Sequence, residues 1–197
     1  MWTNRVRFDV DVGDGRPGEA GSFLVEVRPD WAPLAAARFK ELVEVGFFND
    51  ARFYRTIPGY IAQFGVAADP ALNKEWCVGY RTCKLLPDEK AKVSNRKGTL
   101  SFASGGPGTR QTQMFVNLAD NGGLPNFLDA FGFAPFAAVV EGMDVVQKLY
   151  GGYGLAETAT GGLLSGPSQS KAAAYGNEYL TTAYPKLAFV KRATIVQ

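Results

Sequence analysis

The chain has 197 residues, of which 46% are hydrophobic and 13% aromatic, and its formal net charge is +2. This length and composition predict one globular domain, residues 1–197, with a core of its own. The net charge is too small to favour nucleic acid or an anionic membrane as a partner. No apolar run approaches the roughly 20 residues that span a bilayer.

The chain contains no histidine. This excludes Ser-His and Cys-His nucleophile pairs, histidine zinc sites and imidazole acid–base catalysis. Cys77 and Cys83 have a spacing that matches neither a redox Cys-x-x-Cys motif nor a zinc ribbon. They either form a disulfide in an oxidising compartment or remain two thiols in a reducing one. The first residues, MWTNRVRF, contain no signal-peptide core, so a cytoplasmic protein and a mature exported form are both open.

The first quarter of the chain predicts a hairpin followed by a helix. Alternating apolar residues indicate strands at 5–12 and 22–27, joined by the Gly/Pro-rich segment 13–21. A helix is predicted over 33–45, since a proline suits its first turn and a glycine follows its end. The apolar face of this helix is expected to consist of Leu34, Phe39, Leu42 and Val43.

The rest of the chain predicts short strands with few helices. Strands are predicted at 51–56, 60–65, 99–103, 114–117 and 136–140, and a closing strand at 189–196. Helices are predicted over 143–150 and, as an addition near the end, over 168–184, and the glycine-rich segment 151–167 is predicted to lie on the surface. Two main helices with about eight strands indicate a mainly β fold, an antiparallel barrel or sandwich with helices at its ends.

The most informative motif is FYRTIPGYIAQFG, at residues 53–65. Phe53 and Arg55 share one strand face, Ile61 and Gln63 share another, and a Pro-Gly pair separates the two strands. This pattern places a guanidinium and an amide beside apolar surface. The motif resembles the first signature of the cyclophilins, the peptidyl-prolyl cis-trans isomerases.

Two further blocks extend this resemblance. SFASGGPGTRQTQMFVN, at 101–117, is similar to the second cyclophilin signature, and FLDAFGFAPFAAVVEGMDVV, at 127–146, follows in the family's order and spacing. The chain is therefore identified as a divergent member of the cyclophilin family. The resemblance implies a closed eight-stranded antiparallel barrel capped by two α-helices. Residues 67–97, and those after 151, fall outside the common pattern, and no function is carried onto them.

The resemblance implies a peptidyl-prolyl cis-trans isomerase that acts on peptides and unfolded proteins and assists folding, without metal or cofactor. Rotation about an X-Pro bond has a barrier of about 18–20 kcal/mol and breaks no covalent bond. A donor directed at the imide nitrogen stabilises the twisted state, and Arg55 matches the family's catalytic arginine. The substrate-binding positions of the family correspond to Phe53, Tyr60, Ile61, Gln63, Ala103, Ser104, Gln113, Phe115, Phe127, Leu128 and Phe133.

Several residues depart from the family's pattern. Phe127 stands where many members have a tryptophan that contacts cyclosporin, which argues against tight binding of that inhibitor. Phe133 and Tyr54 each replace a histidine, and Ser104 replaces an asparagine. None of these changes removes the expected chemistry.

Two other functions remain open on the sequence. A noncatalytic module that binds proline peptides would show saturable peptide binding with an unchanged exchange rate. A barrel that holds a small apolar ligand needs an open interior, whereas the bulky Phe, Leu and Val residues of these strands indicate a filled one. The expected partner is a proline-containing peptide or unfolded protein, and we expect the chain to be a monomer.

Overall fold

The computed structural model describes residues 3–14, 19–80, 82–154, 156–157 and 166–196. The strands within these ranges are β1 (Arg5–Asp11), β2 (Ala20–Val27), β3 (Arg55–Ile57), β4 (Ile61–Phe64), β5 (Thr99–Phe102), β6 (Met114–Asn117), β7 (Pro135–Glu141), β8 (Ala156–Glu157), β9 (Gly166–Ser168) and β10 (Phe189–Ile195). The helices are α1 (Pro33–Glu44), α2 (Pro70–Glu75), α3 (Met143–Gln147) and α4 (Gln169–Ala183). Much of the predicted surface segment 151–167 lies outside the described residues.

Eight of these strands form one antiparallel sheet in the order β10-β1-β2-β7-β5-β6-β4-β3. The sheet is curled into a half-barrel, and β8 and β9 form a separate parallel pair. Helix α1 packs on β7 and β10, and α3 packs on β2. The mainly β class, the eight antiparallel strands and the helices at 33–44, 143–147 and 169–183 are thereby confirmed.

The core is filled by aromatic side chains from the strands and from α1. The ring of Phe8 stacks on that of Phe23 with centroids 4.9 Å apart, and Phe39 and Phe64 lie 6.2 and 5.9 Å from it. All four rings are buried. Aromatic rings of this size provide much of the apolar area that a core removes from water. This filled interior argues against a barrel that carries a small apolar ligand.

Helix α1 buries a face of small and large apolar residues, namely Ala35, Ala36, Phe39, Leu42 and Val43. Leu34 was predicted on this face, but the structure leaves it 44% exposed. Because Ala35 and Ala36 occupy the buried side of the first turn, Leu34 faces outward. Its backbone N–H, and that of Ala35, donate to the carboxylate of Glu89 at 2.7 and 2.9 Å, which satisfies two N–H groups that the helix itself leaves unpaired.

The sequence prediction of a single strand at 51–56 is corrected by the structure. Residues 50–53 pair with β10, through Asp50 N to Val190 O at 2.8 Å, Val190 N to Ala51 O at 2.9 Å and Phe53 N to Ala188 O at 2.9 Å. Only from Arg55 does the chain pair with β4. The segment changes partner within two residues, which a pattern of alternating side chains does not reveal.

Helix α2 was not predicted. The Asp69 carboxylate accepts a hydrogen bond from Ala71 N at 2.8 Å, and Pro70 occupies the first helical turn, so the sequence carries an ordinary helix start. Helix α2 packs against α4, which bends at Gly176. The bend brings α4 so close to Ala68 that a Cβ on Gly176 would lie 2.1 Å from the Ala68 carbonyl oxygen.

Cys77 and Cys83, just after α2, form a disulfide bond. Of the two states that the sequence left open, the structure therefore has the disulfide. Gln111 lies inside this small loop and donates from Nε2 to the carbonyl oxygens of Cys77 and Cys83, at 2.8 and 3.0 Å. In the described ranges, no helix is long and apolar enough to cross a membrane.

Candidate active site

The site is organised by one row of cross-strand neighbours. Arg55 of β3 lies opposite Gln63 of β4, and Gln63 lies opposite Phe115 of β6. Side chains at paired positions of an antiparallel sheet project from the same face, so these three lie side by side. Arg55, which is half-buried, donates from Nη1 to Gln63 Oε1 at 3.0 Å. The guanidinium of Arg55, the charged group of this row, is therefore held in place by the Gln63 amide.

The other end of the Gln63 amide is held by Tyr54 and Gln113. Gln63 Nε2 donates to the Tyr54 hydroxyl at 2.6 Å, and that hydroxyl donates to Gln113 Oε1 at 2.5 Å. Burial raises the pKa of Tyr54 above its ordinary value, while the charge of Arg55 and the hydrogen bond from Gln63 act in the opposite direction. The tyrosine therefore stays neutral, and its hydroxyl both accepts and donates.

A small apolar cluster, separate from the main core, lies beside this row. It contains the buried side chains of Ile61, Phe115 and Leu128, with Tyr60, Ala103 and Phe133 packed against them. The rings of Phe115 and Phe133 meet edge to face with centroids 5.6 Å apart. The sequence predicted all six as substrate-binding residues, and the structure brings them together. We call these six residues the second cluster.

Buried amide side chains hold the backbone behind the second cluster. Asn95, which has no exposed surface, donates from Nδ2 to the carbonyl oxygen of Phe133 at 2.8 Å. Asn121 donates from Nδ2 to the carbonyl oxygen of Tyr60 at 2.8 Å, and the backbone carbonyl oxygen of Asn121 accepts from Leu128 N at 3.0 Å. Three members of the cluster are thus positioned through their main chain, because buried backbone groups need partners.

Asp129 connects this support to the loop that carries Leu128. Its Oδ1 accepts from both the backbone N and the Nδ2 of Asn95, each at 2.8 Å. Partial burial raises the pKa of Asp129, but hydrogen bonds from Ser94 and Asn95 outweigh this effect and leave the pKa below its ordinary value. The carboxylate is therefore ionised at neutral pH and ties the loop to Asn95.

The structure places three of the predicted site residues outside this arrangement. Phe53 is fully buried in the main core, with its ring 5.0 Å from that of Phe64. Ser104 Oγ accepts from Gly106 N at 3.1 Å, within its own turn. Phe127 is 42% exposed and does not belong to the second cluster.

Four residues of the arrangement were not predicted as site residues, namely Tyr54, Asn95, Asn121 and Asp129. Tyr54 was noted only as a departure from the family's pattern, and Asn95 lies in the segment 67–97 that the resemblance did not cover. The position of Tyr54 next to Arg55 was a usable signal, whereas nothing in the sequence connected Asn95 with the second cluster. In the part of the chain that the structure describes, no group of three or more Cys, Asp or Glu side chains could hold a metal ion.

Comparison with protein families gives a match over residues 8–160 to the family described as "Cyclophilin type peptidyl-prolyl cis-trans isomerase/CLD". A peptidyl-prolyl cis-trans isomerase of Acinetobacter baylyi is 33% identical over 135 residues, which are 66% of this chain and 66% of that protein. The chain thus aligns with slightly less than two thirds of this relative. Peptidyl-prolyl cis-trans isomerase B of Escherichia coli is 32% identical over 137 residues, 66% of this chain and 79% of that protein.

Among solved structures, the fold is similar to a cyclophilin-type peptidyl-prolyl cis-trans isomerase of Cryptosporidium parvum. The TM-score is 0.63 at 20% sequence identity, and the superposition covers 98% of both chains. A second structure of this Cryptosporidium parvum protein, in the presence of the dipeptide Ala-Pro, gives the same TM-score, and the superposition covers 98% of this chain and 99% of that chain. At this identity, the likeness concerns the fold.

Proposed function

The chain belongs to the cyclophilin-type peptidyl-prolyl cis-trans isomerase family, and we propose that it catalyses cis–trans isomerisation of X-Pro bonds in peptides and unfolded proteins, which assists their folding. The observation that carries this proposal is the cross-strand row of Arg55, Gln63 and Phe115. It sets a fixed guanidinium next to the second cluster, whose apolar side chains suit contact with a proline ring.

Arg55 is the proposed catalytic residue. Conjugation with the carbonyl is lost as the X-Pro bond twists, and the nitrogen lone pair becomes available to a donor. A guanidinium carries five N–H donors, and Gln63 engages one of them, on Nη1. A hydrogen bond from a donor to the imide nitrogen stabilises only the twisted state, so it raises turnover and not the affinity for the substrate. Neither a covalent intermediate nor a proton transfer is required.

The second cluster is the proposed site for the proline ring. Ile61, Phe115 and Leu128 would contact the ring, and Tyr60 and Phe133 would form its sides. We assign Gln63, Gln113 and Ala103 to the substrate backbone, and Ser104 and Phe127 to the peptide on either side of the proline. Phe53, being fully buried, would support the strand of Arg55 from within the core.

We also propose that the sheet closes into a barrel. The two edges of the sheet are β10 and β3, and residues 50–53, which lead into β3, exchange hydrogen bonds with β10. Arg52 and Phe189 form an antiparallel bridge at the same place. A closed sheet leaves no free edge for pairing with another chain, in keeping with a single monomeric domain.

The experiment that tests the function is cis–trans exchange of a proline tetrapeptide, measured by NMR with and without the protein. We expect the intact protein to accelerate exchange and Arg55→Ala to reduce the acceleration ten-fold or more. A hydrogen bond from a charged donor, worth about 1.5–3 kcal/mol, predicts a loss of this size. Arg7→Ala is the matched control, because Arg7 is an exposed arginine of β1 paired with Asp9.

Two results would contradict the proposal in different ways. If the intact protein leaves the exchange rate unchanged but binds the tetrapeptide saturably, the chain is the noncatalytic binding module. If Arg55→Ala and Arg7→Ala are both as active as the intact protein, isomerisation does not depend on Arg55, and the proposed mechanism is wrong.

A further inference from the structure

The hydroxyl of Tyr54 lies between the two glutamines of the site. It accepts from Gln63 Nε2 at 2.6 Å and donates to Gln113 Oε1 at 2.5 Å. The side chain is only 1% exposed, so water does not readily replace either contact. Gln63 Nε2 also reaches Gln113 Oε1, but at 3.4 Å, a long hydrogen bond. The hydroxyl therefore makes the closer contacts to both amides.

This arrangement determines which end of the Gln63 amide faces Arg55. A guanidinium only donates, so it needs the oxygen of the amide and not its NH₂ group. With Gln63 Oε1 on Arg55, the NH₂ group points to the opposite side and requires an acceptor there. The Tyr54 hydroxyl can act as this acceptor because its own proton is committed to Gln113. A reversed amide would set two donor groups against each other at Arg55.

We propose that Tyr54 is a positioning residue for the isomerisation: its hydroxyl fixes the Gln63 amide, and the amide in turn fixes the direction of the Arg55 guanidinium. This inference rests on the proposed function. Tyr54 belongs to the main core and not to the second cluster, and it acts through the two amides that its hydroxyl contacts, Gln63 and Gln113. In this chain a tyrosine stands at a position where many family members have a histidine.

A hydroxyl suits this position because it does not titrate near neutral pH. Tyr54 is held neutral by burial, and Arg55 of β3 is the charged group that acts on it, while Gln63 of β4 and Gln113, just before β6, are neutral amides. A histidine at the same place would change character with pH. Its neutral ring can accept and donate at once, whereas its protonated ring only donates and carries a charge towards Arg55.

The test measures kcat and KM for a proline tetrapeptide by NMR exchange in three variants. For Tyr54→Phe we expect kcat to fall about five- to ten-fold with KM changed less than two-fold, since the pocket is intact but the arginine is no longer oriented. Tyr179→Phe is the matched control. It removes a hydrogen-bonded hydroxyl away from the site, that of the half-buried Tyr179 on α4, which accepts from Ser168 N at 3.1 Å, and it should leave kcat unchanged.

The third variant, Tyr54→His, separates positioning from a contribution to stability alone. Its kcat should exceed that of Tyr54→Phe at pH 8 and fall towards it only as the pH drops below about 6.5, the ordinary histidine pKa, because burial and the charge of Arg55 both lower the pKa of a histidine at this place. The natural chain has no histidine, so its own kcat should stay level between about pH 5.5 and 8.

The results discriminate between this inference and the proposed function. An active wild type whose kcat is unaffected by Tyr54→Phe would overturn the role of Tyr54 alone. A kcat of Tyr54→His that is no higher than that of Tyr54→Phe at pH 8, where the ring is neutral, would overturn that role as well. A wild type that fails to accelerate exchange would refute the isomerase function and this inference together.

Discussion

Replacing Asn95 with alanine tests whether one buried amide holds the wall of the pocket. The Asn95 side chain makes four hydrogen bonds: Nδ2 donates to Asp129 Oδ1 and Phe133 O, each at 2.8 Å, and Oδ1 accepts from Ser101 Oγ at 2.8 Å and Asn117 Nδ2 at 3.3 Å. Alanine removes all four while leaving the backbone bonds of residue 95 to Asp129 and Asn121 in place.

The expected loss of stability follows from these contacts. A hydrogen bond to a charged group contributes about 1.5–3 kcal/mol, and a neutral one about 0.5–1.5 kcal/mol. One carboxylate and three neutral partners therefore add up to at least about 3 kcal/mol, and we expect a loss near this lower limit because water can enter the space. A domain stable by about 5–15 kcal/mol still folds after such a loss.

The assay is urea unfolding followed by tryptophan fluorescence, with Asn126→Ala as the matched control. Asn126 is half-buried and makes one side-chain bond, from Nδ2 to Asn121 Oδ1 at 2.8 Å, so its loss should cost about 1 kcal/mol. In the exchange assay, Asn95→Ala should raise KM several-fold and leave kcat within about two-fold, because Phe133 loses its anchor while Arg55 keeps its own.

The reasoning fails if Asn95→Ala costs no more stability than Asn126→Ala. It also fails if Asn95→Ala destabilises the protein as expected but leaves KM unchanged. In that case, the amide network stabilises the fold without determining the shape of the pocket.

Two further predictions concern the disulfide and Asp129. Reduction of the Cys77–Cys83 disulfide, or replacement of both cysteines by serine, should lower the free energy of unfolding by about 2 kcal/mol. This is the chain entropy that so short a loop removes from the unfolded state. The measurement is urea unfolding with and without a dithiol, and equal midpoints would contradict the prediction. Because the pKa of Asp129 is lower in the folded protein than in the unfolded chain, its ionised carboxylate stabilises the fold at every pH above the ordinary carboxyl pKa of about 3.9. This stabilisation is lost as the pH falls through the lower pKa of the folded state. Wild type should therefore lose stability more steeply than Asp129→Asn between about pH 5 and 3, and parallel acid-unfolding curves would refute this assignment.

The elements of the fold that were predicted well are those whose signal is local. The strand at 114–117 has the predicted bounds, and α1 begins at the predicted proline. Alternation and helix-start signals are properties of neighbouring residues, so a sequence displays them. The partner change between residues 53 and 55 and the exposure of Leu34 depend on which strand or helix lies alongside, and only the folded chain reveals this.

The site divides in the same way. The motif residues Arg55, Gln63 and Phe115 come from three different strands, and the resemblance identified them because it covers all three. Tyr54 directly precedes Arg55, just before β3, so its place in the sequence indicates that it lies near the arginine. Only the folded structure shows that Gln63 and Gln113 both contact its hydroxyl. Asn95 lies in a loop, where its residue type is common, and its four partners lie 6, 22, 34 and 38 residues away in the sequence.

The chemistry of the site agrees with a reaction that moves no proton. Its groups are a permanent cation, a tyrosine kept neutral by burial, two glutamines and an apolar cluster. The nearby carboxylate, Asp129, is engaged by Asn95 behind the pocket wall. A hydrolase would need an acid or base with a pKa near neutrality. Bond rotation needs only a donor held in one direction. The hydrogen bonds that run from Gln113 through Tyr54 and Gln63 to Arg55 can hold this donor, and none of these groups titrates near neutral pH.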